Sequence, residues 1–434
     1  MLTTKYAREN ADAIRKSLEK RRSNYPFDEL LRLDEQLRKV NKELQDLRAE
    51  RNRGSEQIAE LKKAGKEADK ALIDRLSQLK KRMDELEGSV QKQNERIDAL
   101  MWNLPNILDK SVPVGESGED NVEIRKWGEP KARKNAPSHD ELLEKLGMLD
   151  VKQAAEVSGA RFYYLKGDIA LLEQSIIRFG IDELVKKGYT PIAPPLMLKR
   201  QYYKGMVTFG SFEEMLYRVS EPQEAKGKSE MERMEEELFL IATSEHAIGA
   251  MHANQVFSAK ELPKKYAGIS PCFRREAGAH GKDTKGIFRV HHFYKIEQFI
   301  FCKPEDSWKY FDELIANNED LFKKLNIPYR VMALCGPEVG TASAKTYDTE
   351  TFVPAQGKYR EIGSCSNCLD WQAMRLNIRY DEGAERKYVH TLNATLVPTT
   401  RAIVSIVENY YNDDGTITVP DVLVPYMGKK TIGR

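Results

Sequence analysis

The stretch from Leu30 to Leu100 constrains the fold more than any other part of the chain. Leu30, Leu33, Leu37, Val40, Leu44 and Leu47 follow one another at steps of three and four, an a/d seam. The pattern frays around Arg53-Gly54-Ser55, returns at Ile58 and Leu61, and meets a turn signal at Lys63-Ala64-Gly65-Lys66. A second seam follows at Leu72, Leu76, Leu79, Met83, Leu86 and Val90, completed by Ile97 and Leu100. Two heptad helices around a short break predict an antiparallel hairpin over about 28–101, with arms of roughly 35 residues and about 50 Å. Such an arm could be scaffold or dimerisation device, but its charge is uneven. From Arg48 to Arg82, around the tip, 11 Lys or Arg face 6 Asp or Glu, a net of +5, whereas Met83–Leu100 carries 2 against 5, a net of −3. Positive charge concentrated at the tip suits a polyanion such as RNA, gripped through its phosphates; a solvated charged face is the plainer alternative.

At 434 residues with 41% hydrophobic content, the chain can fill two or three domains. Its 69 basic and 67 acidic residues leave a net charge of +2, so a nucleic-acid surface has to be local. The start, MLTTKYAREN, lacks the apolar core of a signal peptide, and no apolar run approaches the roughly 20 residues of a membrane span. A cytoplasmic protein without a membrane partner is expected. Cysteines at 272, 302, 335, 365 and 368 are an odd number, which argues against a disulfide framework. Cys365 and Cys368 form a CxxC, but no second pair is spaced to complete a zinc site, so buried inert thiols are expected and no zinc.

Domain boundaries are read as 1–102 for the helical arm, 103–137 for a Pro- and Gly-containing linker, and 138–434 for an α+β domain. Helical patterns (LLEQSIIRFGIDELVKKG, WKYFDELIANNEDLFKKLN) alternate there with strand-like runs, and the hydrophilic 221–237 reads as a surface loop insertion. Residues 273–299, FRREAGAHGKDTKGIFRVHHFYKIEQF, are the most informative. Lys264–Glu276 and Ile287–Phe301 read as strands joined by AGAHGKDTKG, a connector rather than a P-loop, because GxxxxGK[ST] followed by a helix is absent. Alternation places Arg289, His291, Phe293, Lys295 and Glu297 on one face and Val290, Tyr294, Ile296 and Ile300 on the other. Arg289, Phe293 and Glu297 then stand about 13 Å apart in turn. Cation, ring and carboxylate suit a ligand with a phosphate, a planar base and an ammonium group; a solvated outer sheet face is the alternative on this strand alone.

This hairpin closely resembles the second signature motif of class II aminoacyl-tRNA synthetases, in the form seen in seryl-tRNA synthetases. GYTPIAPPLM (188–197) resembles the first motif, with Pro195 at the position associated with a dimer interface, and LNATLVPTTRAIVSIVENY (392–410) the third. TSE (243–245), YREIGSCSN (359–367) and the amino-terminal hairpin are further seryl-type landmarks, so the resemblance spans nearly the whole chain.

The resemblance implies a coiled-coil arm joined to a catalytic domain built on an antiparallel β-sheet flanked by helices, acting as a homodimer. It implies ATP-dependent activation of L-serine and transfer of the seryl group to serine tRNA, with selenocysteine tRNA an open alternative. By resemblance, Arg274 holds the α-phosphate, Glu276 meets the adenine, Arg289 reaches the outer phosphates, and Phe293 and Arg401 sandwich the base. Arg275, Val290, His291, His292, Ile362 and Gly363 complete the ATP set, and Glu361 and Ser364 match positions for ATP and Mg²⁺. Glu297 would pair with the serine ammonium, Thr243, Ser244 and Glu245 would close over the amino acid, and Asn393 and Thr395 would flank its side chain. Leu396, Val397 and Pro398 are bulkier than the family's usual residues and imply a tighter pocket around Thr395, while Gly363 stands where Ser is frequent. A threonyl-type enzyme would need a zinc site this sequence does not supply, and a catalytically silent RNA-binding homologue would not need Arg274, Glu297, Glu361 and Arg401.

Overall fold

Two long helices, α1 (Phe27–Lys63) and α2 (Lys70–Asn103), lie antiparallel in the computed structural model, which describes residues 3–67, 69–131, 136–219, 229–276 and 285–433. Leu44, Met83 and Leu86 are buried between them, with Val40, Leu47 and Val90 packed alongside. Arg96–Glu29, Arg82–Glu43 and Arg75–Glu50 bridge the helices at 2.8–2.9 Å, but such exposed pairs contribute at most about 1 kcal/mol each, so the apolar seam dominates. α1 continues unbroken through Arg53-Gly54-Ser55, where the pattern predicted fraying. A Cβ on Gly54 would come within 2.8 Å of Leu76 Cδ2, so the missing side chain lets the helices approach closely. Asp69 caps α2 by accepting from Ala71 N at 3.1 Å. Among the described residues Arg53, Lys62, Lys63, Lys66, Lys80 and Lys81 form no ion pair. No helix of the described residues is long and apolar enough to cross a membrane.

Two units divide the chain. The smaller comprises Asn24–Leu104 with the segment up to Leu18, the larger Pro105–Arg434 with Glu19–Ser23. The larger is built on eight strands: β1 (Val122–Trp127), β2 (Thr190–Ile192), β3 (Lys264–Phe273), β4 (His292–Cys302), β5 (Tyr329–Ala333), β6 (Lys345–Val353), β7 (Lys358–Leu369) and β8 (His390–Pro398). Their order across the sheet is β1-β5-β6-β7-β8-β4-β3-β2, antiparallel except for β2 against β3. Helices α3 (Asp168–Lys186), α4 (Ser307–Lys324) and α5 (Thr399–Tyr410) bury Phe179, Phe311 and Ile403 in one core with Ile296, Ile300 and Leu396 of the sheet. One face of the central strands is thereby covered, leaving the other to line a cavity.

Three further sequence expectations change. Residues 103–137 are more than a linker: β1 within them pairs with β5, and the Arg125 side chain meets Glu319 on α4 at 2.6 Å. In 221–237, residues 221–228 lie outside the described set, but Glu230–Glu236 is a helix capped by Ser229 and Glu232 rather than a loop. Glu237 then pairs with the largely buried Arg200, whose guanidinium lies 4.7 Å from the Phe209 ring centroid. In the signature hairpin, β3 ends at Phe273 and β4 begins only at His292, and beyond them the bond from Arg274 N to His291 O at 2.8 Å extends the pairing by one step. Most of the connector, 277–284, lies outside the described residues.

The returning chain is fixed just before β4. His139 donates its backbone N and Nδ1 to Glu408 Oε1 on α5, at 3.1 and 3.0 Å, while its Nε2 accepts from Ile287 N at 3.2 Å. Gly286 sits against this ring at φ +68°, and a Cβ there would lie 2.1 Å from His139 Nε2. Gly383 has nearly the same φ, +66°, with nothing within 4 Å. Gly383→Ala should therefore cost about 1 kcal/mol of backbone strain, and Gly286→Ala about 2 kcal/mol more from the added clash. Denaturant unfolding checks this, and equal losses would contradict it.

Candidate active site

The site begins with an irregularity between two strands. β4 pairs with β3 in regular register, with Phe293 opposite Cys272 and Glu297 opposite Gly268. Against β8 the register shifts: Ile296 faces Val397 but Glu297 faces Thr395, leaving Leu396 as the extra residue of a bulge. Buried Asn318 of α4 donates its Nδ2 to Thr395 O at 3.1 Å and Leu396 O at 2.9 Å, so the carbonyls freed by the bulge are satisfied. Leu396 and Val397 enter the core, and Thr395 turns to the open side. The tighter pocket expected from these bulky residues does not arise; only Pro398 joins the cavity wall. Gly363 supplies room opposite, since a Cβ there would lie 2.9 Å from the Thr395 Cβ.

The open side is a cavity of about 470 Å³. At one end Glu297 and Lys295 are buried at 1% and 5% exposure and paired with one another. Lys295 Nζ also donates to Thr395 Oγ1 at 3.4 Å, and Thr395 Oγ1 donates to Glu297 Oε2 at 3.2 Å. Glu245, at the start of a helix beginning at Ser244, is pushed up to about 7 by burial and then by Glu297, with Lys295 and Arg274 opposing. The neighbouring His246 is lowered to about 3 by burial and by the same two cations, so its imidazole is neutral at ordinary pH.

Guanidinium groups and rings characterise the other end. Arg274 donates Nε to Ala242 O at 3.2 Å, with its guanidinium 5.3 Å from the Phe293 ring centroid. Arg289 Nη1 pairs with Glu276 Oε2 at 2.7 Å. Arg401 lies 3.2 Å from Glu361 Oε1 and 5.0 Å from the Phe288 ring centroid. Arg401 beside Glu361 holds that carboxyl below the usual range. Asp348, opposite Ser364 across β6 and β7, is driven well above it by burial and then by Glu361. Its Oδ1 is buried without a hydrogen-bond partner among the described residues.

Thr243, Glu245, Glu297, Asn393 and Thr395 meet in the wall with Arg274, Glu276, Arg289, Val290, Phe293, Glu361, Ile362, Gly363, Ser364 and Arg401. Four residues from the sequence reading do not line it. Arg275 donates its backbone N to Met215 O, Ser244 is fully buried, His291 places Nδ1 2.8 Å from Arg274 O, and His292 stacks on Tyr163 at 5.0 Å. Strict alternation fails from residue 289, because Arg289 and Val290 precede the strand and both reach the wall. Phe288, Asp348 and His246 were missed as site residues. Phe288 sits in an apolar run that reads as strand core, and nothing in the sequence shows that Asp348 faces Ser364. The Cys365 thiol lies 3.7 Å from Phe311 O, while Cys368 Sγ accepts from Asn393 Nδ2 at 3.7 Å. Among the described residues no group of three or more His, Cys, Asp or Glu is placed to hold a metal ion.

Residues 219–410 match the family model of the tRNA synthetase class II core domain (G, H, P, S and T), and residues 1–108 the seryl-tRNA synthetase N-terminal domain. The serine–tRNA ligase of Pyrococcus horikoshii is 43% identical over 458 aligned positions, covering 100% of this chain and 97% of the relative. That of Methanocella arvoryzae is 43% identical, covering 98% and 99%. Among solved structures, P. horikoshii seryl-tRNA synthetase complexed with ATP superposes with a TM-score of 0.91 at 42% identity, covering 100% and 99% of the two chains. The cytoplasmic serine–tRNA ligase of Naegleria fowleri in complex with AMP gives 0.84 at 35%, covering 98% and 95%.

The buried ion pair is open to a direct test. Glu297→Gln leaves the Lys295 ammonium without its carboxylate and should lower stability by about 3 kcal/mol. Lys295→Met combined with Glu297→Gln removes both charges and should recover most of that loss in denaturant unfolding. A double variant as unstable as the sum of the singles would contradict the pairing.

Proposed function

The chain belongs to the seryl-tRNA synthetase family, and from that premise we propose that it activates L-serine with ATP and transfers the seryl group to serine tRNA. The observation that carries this reading is the polarity of one cavity, with three guanidinium groups and two rings at one end and Glu245 and Glu297 at the other. In the first step the serine carboxylate attacks the α-phosphorus of ATP, and pyrophosphate leaves. Arg274 stabilises the negative charge that grows on the α-phosphate, and its anchor on the Ala242 carbonyl holds it there before the reaction begins. Phe293 and Arg401 grip the base, with Phe288 beneath Arg401 as additional support. Glu297 takes the ammonium, aligning the carboxylate for attack. In the second step the terminal ribose hydroxyl of the tRNA attacks the activated carbonyl, and AMP leaves.

Mg²⁺ would be held by Glu361 and Ser364, hard oxygen donors to which the bare oxygen of Asp348 adds a third, and would neutralise phosphate charge. The basic tip of α1 and α2 grips the tRNA by its phosphates, and the unpaired cations there support this role. The edge strand β2 and Pro195 serve a homodimer interface, and the enzyme works in the cytoplasm.

Serine-dependent exchange of pyrophosphate into ATP is the test: exchange with serine supports the reading, and its absence alongside intact tRNA binding would overturn it. Arg274→Ala should lower the activation rate by roughly 10²- to 10³-fold, the loss of about 3–4 kcal/mol typical of an electrostatic donor. An unchanged rate would remove Arg274 from the mechanism. Deleting residues 31–100 should spare exchange but abolish charging of tRNA. Normal charging by the deleted form would make the arm purely structural.

A further inference from the structure

Lys295 takes no part in the two steps above, although its side chain is only 6% exposed and lines the cavity between Glu297 and Thr395. A buried ammonium is costly unless its hydrogens find acceptors. It carries three donors and no acceptor, and two are accounted for by Glu297 Oε2 and by Thr395 Oγ1 at 3.4 Å. Thr395 is constrained in turn: its own proton goes to Glu297 Oε2 at 3.2 Å, and one lone pair accepts from Lys295. Only a second lone pair is left for a ligand, so Thr395 can accept from a substrate hydroxyl but cannot donate to it.

We propose that Lys295 is a specificity-determining residue whose third N–H donates to the hydroxyl oxygen of bound serine, while that hydroxyl donates to Thr395 Oγ1. This rests on the reading of the cavity as a serine site. Both hydrogen-bonding capacities of the substrate hydroxyl are then used. Alanine would leave a hydrogen of the buried lysine and a lone pair of the buried threonine unmatched, and a site built to bond a hydroxyl rejects the analogue that lacks it. The buried bulge that turns Thr395 toward Glu297 also sets the lysine's reach, because Lys295 and Glu297 alternate onto the same side of β4.

The test compares serine-dependent and alanine-dependent pyrophosphate exchange in the wild type, Lys295→Met and Lys295→Gln. Lys295→Met should lower kcat/KM for serine by about tenfold to a hundredfold, mainly through KM, as expected for losing a charged donor. The KM for ATP should stay unchanged and alanine should lose far less, so the serine-to-alanine ratio falls. Lys295→Gln keeps an amide donor and should recover part of the ratio. A lysine that only compensates Glu297 would lower serine and alanine by the same factor, which would overturn the proposal, as would an unchanged serine KM. Should Lys295→Met not fold, Lys295→Gln decides: a ratio below wild type supports the assignment, and an unchanged ratio overturns it. A wild type without serine-dependent exchange would overturn the reading of the cavity and the role of Lys295 together. A wild type that exchanges while its variants keep the ratio would overturn the role alone.

Discussion

Asn318, reaching from a helix to the two carbonyls around Leu396, holds the irregularity on which the site depends. Without the extra residue, strict pairing of β4 with β8 would place Leu396 opposite Glu297, and the polar floor of the cavity would lose its hydroxyl. The bulge puts Thr395 there instead and returns Leu396 and Val397 to the core. A buried amide that serves two carbonyls leaves neither unsatisfied, so the distortion is stable rather than merely tolerated. Gly363 on the next strand completes the arrangement, because any side chain there would crowd Thr395.

Around that floor the charges are unequal. Glu245 and Glu297 face the Lys295 ammonium, and Glu245 responds by holding its proton to about pH 7. A ligand ammonium brings the missing positive charge, after which the Glu245 carboxyl can ionise. At the opposite end Arg274, Arg289 and Arg401 stand against Glu276, Glu361 and Asp348, and burial with Glu361 drives Asp348 well above the usual carboxylate range. The first end thus lacks one cation, which an amino acid would supply.

The helical arm was legible because a seam repeated over two long helices needs only local periodicity, and Gly54 misled because its tolerance comes from Leu76 on the other helix. The charged positions of the site were legible through the resemblance of short motifs, each confined to one strand or turn. What the sequence does not display depends on pairs distant along the chain: Asp348 opposite Ser364, Phe288 under Arg401, and Asn318 against the Leu396 bulge. Alternation alone put Arg289 on a strand that begins at His292, because His139 and Glu408 fix the preceding turn from elsewhere in the chain. The linker reading of 103–137 failed for the same reason, since the partner of its strand lies some two hundred residues further on.

The claim that the serine end lacks one cation is most directly tested by calorimetric titration of L-serine at about pH 6.5, in two buffers of different ionisation enthalpy. Glu245 is largely protonated there, and an arriving ammonium should drive its proton off. The account predicts release of a sizeable fraction of one proton per serine bound, absent in Glu245→Gln. Binding without proton release, or release that survives the Glu245→Gln substitution, would contradict it.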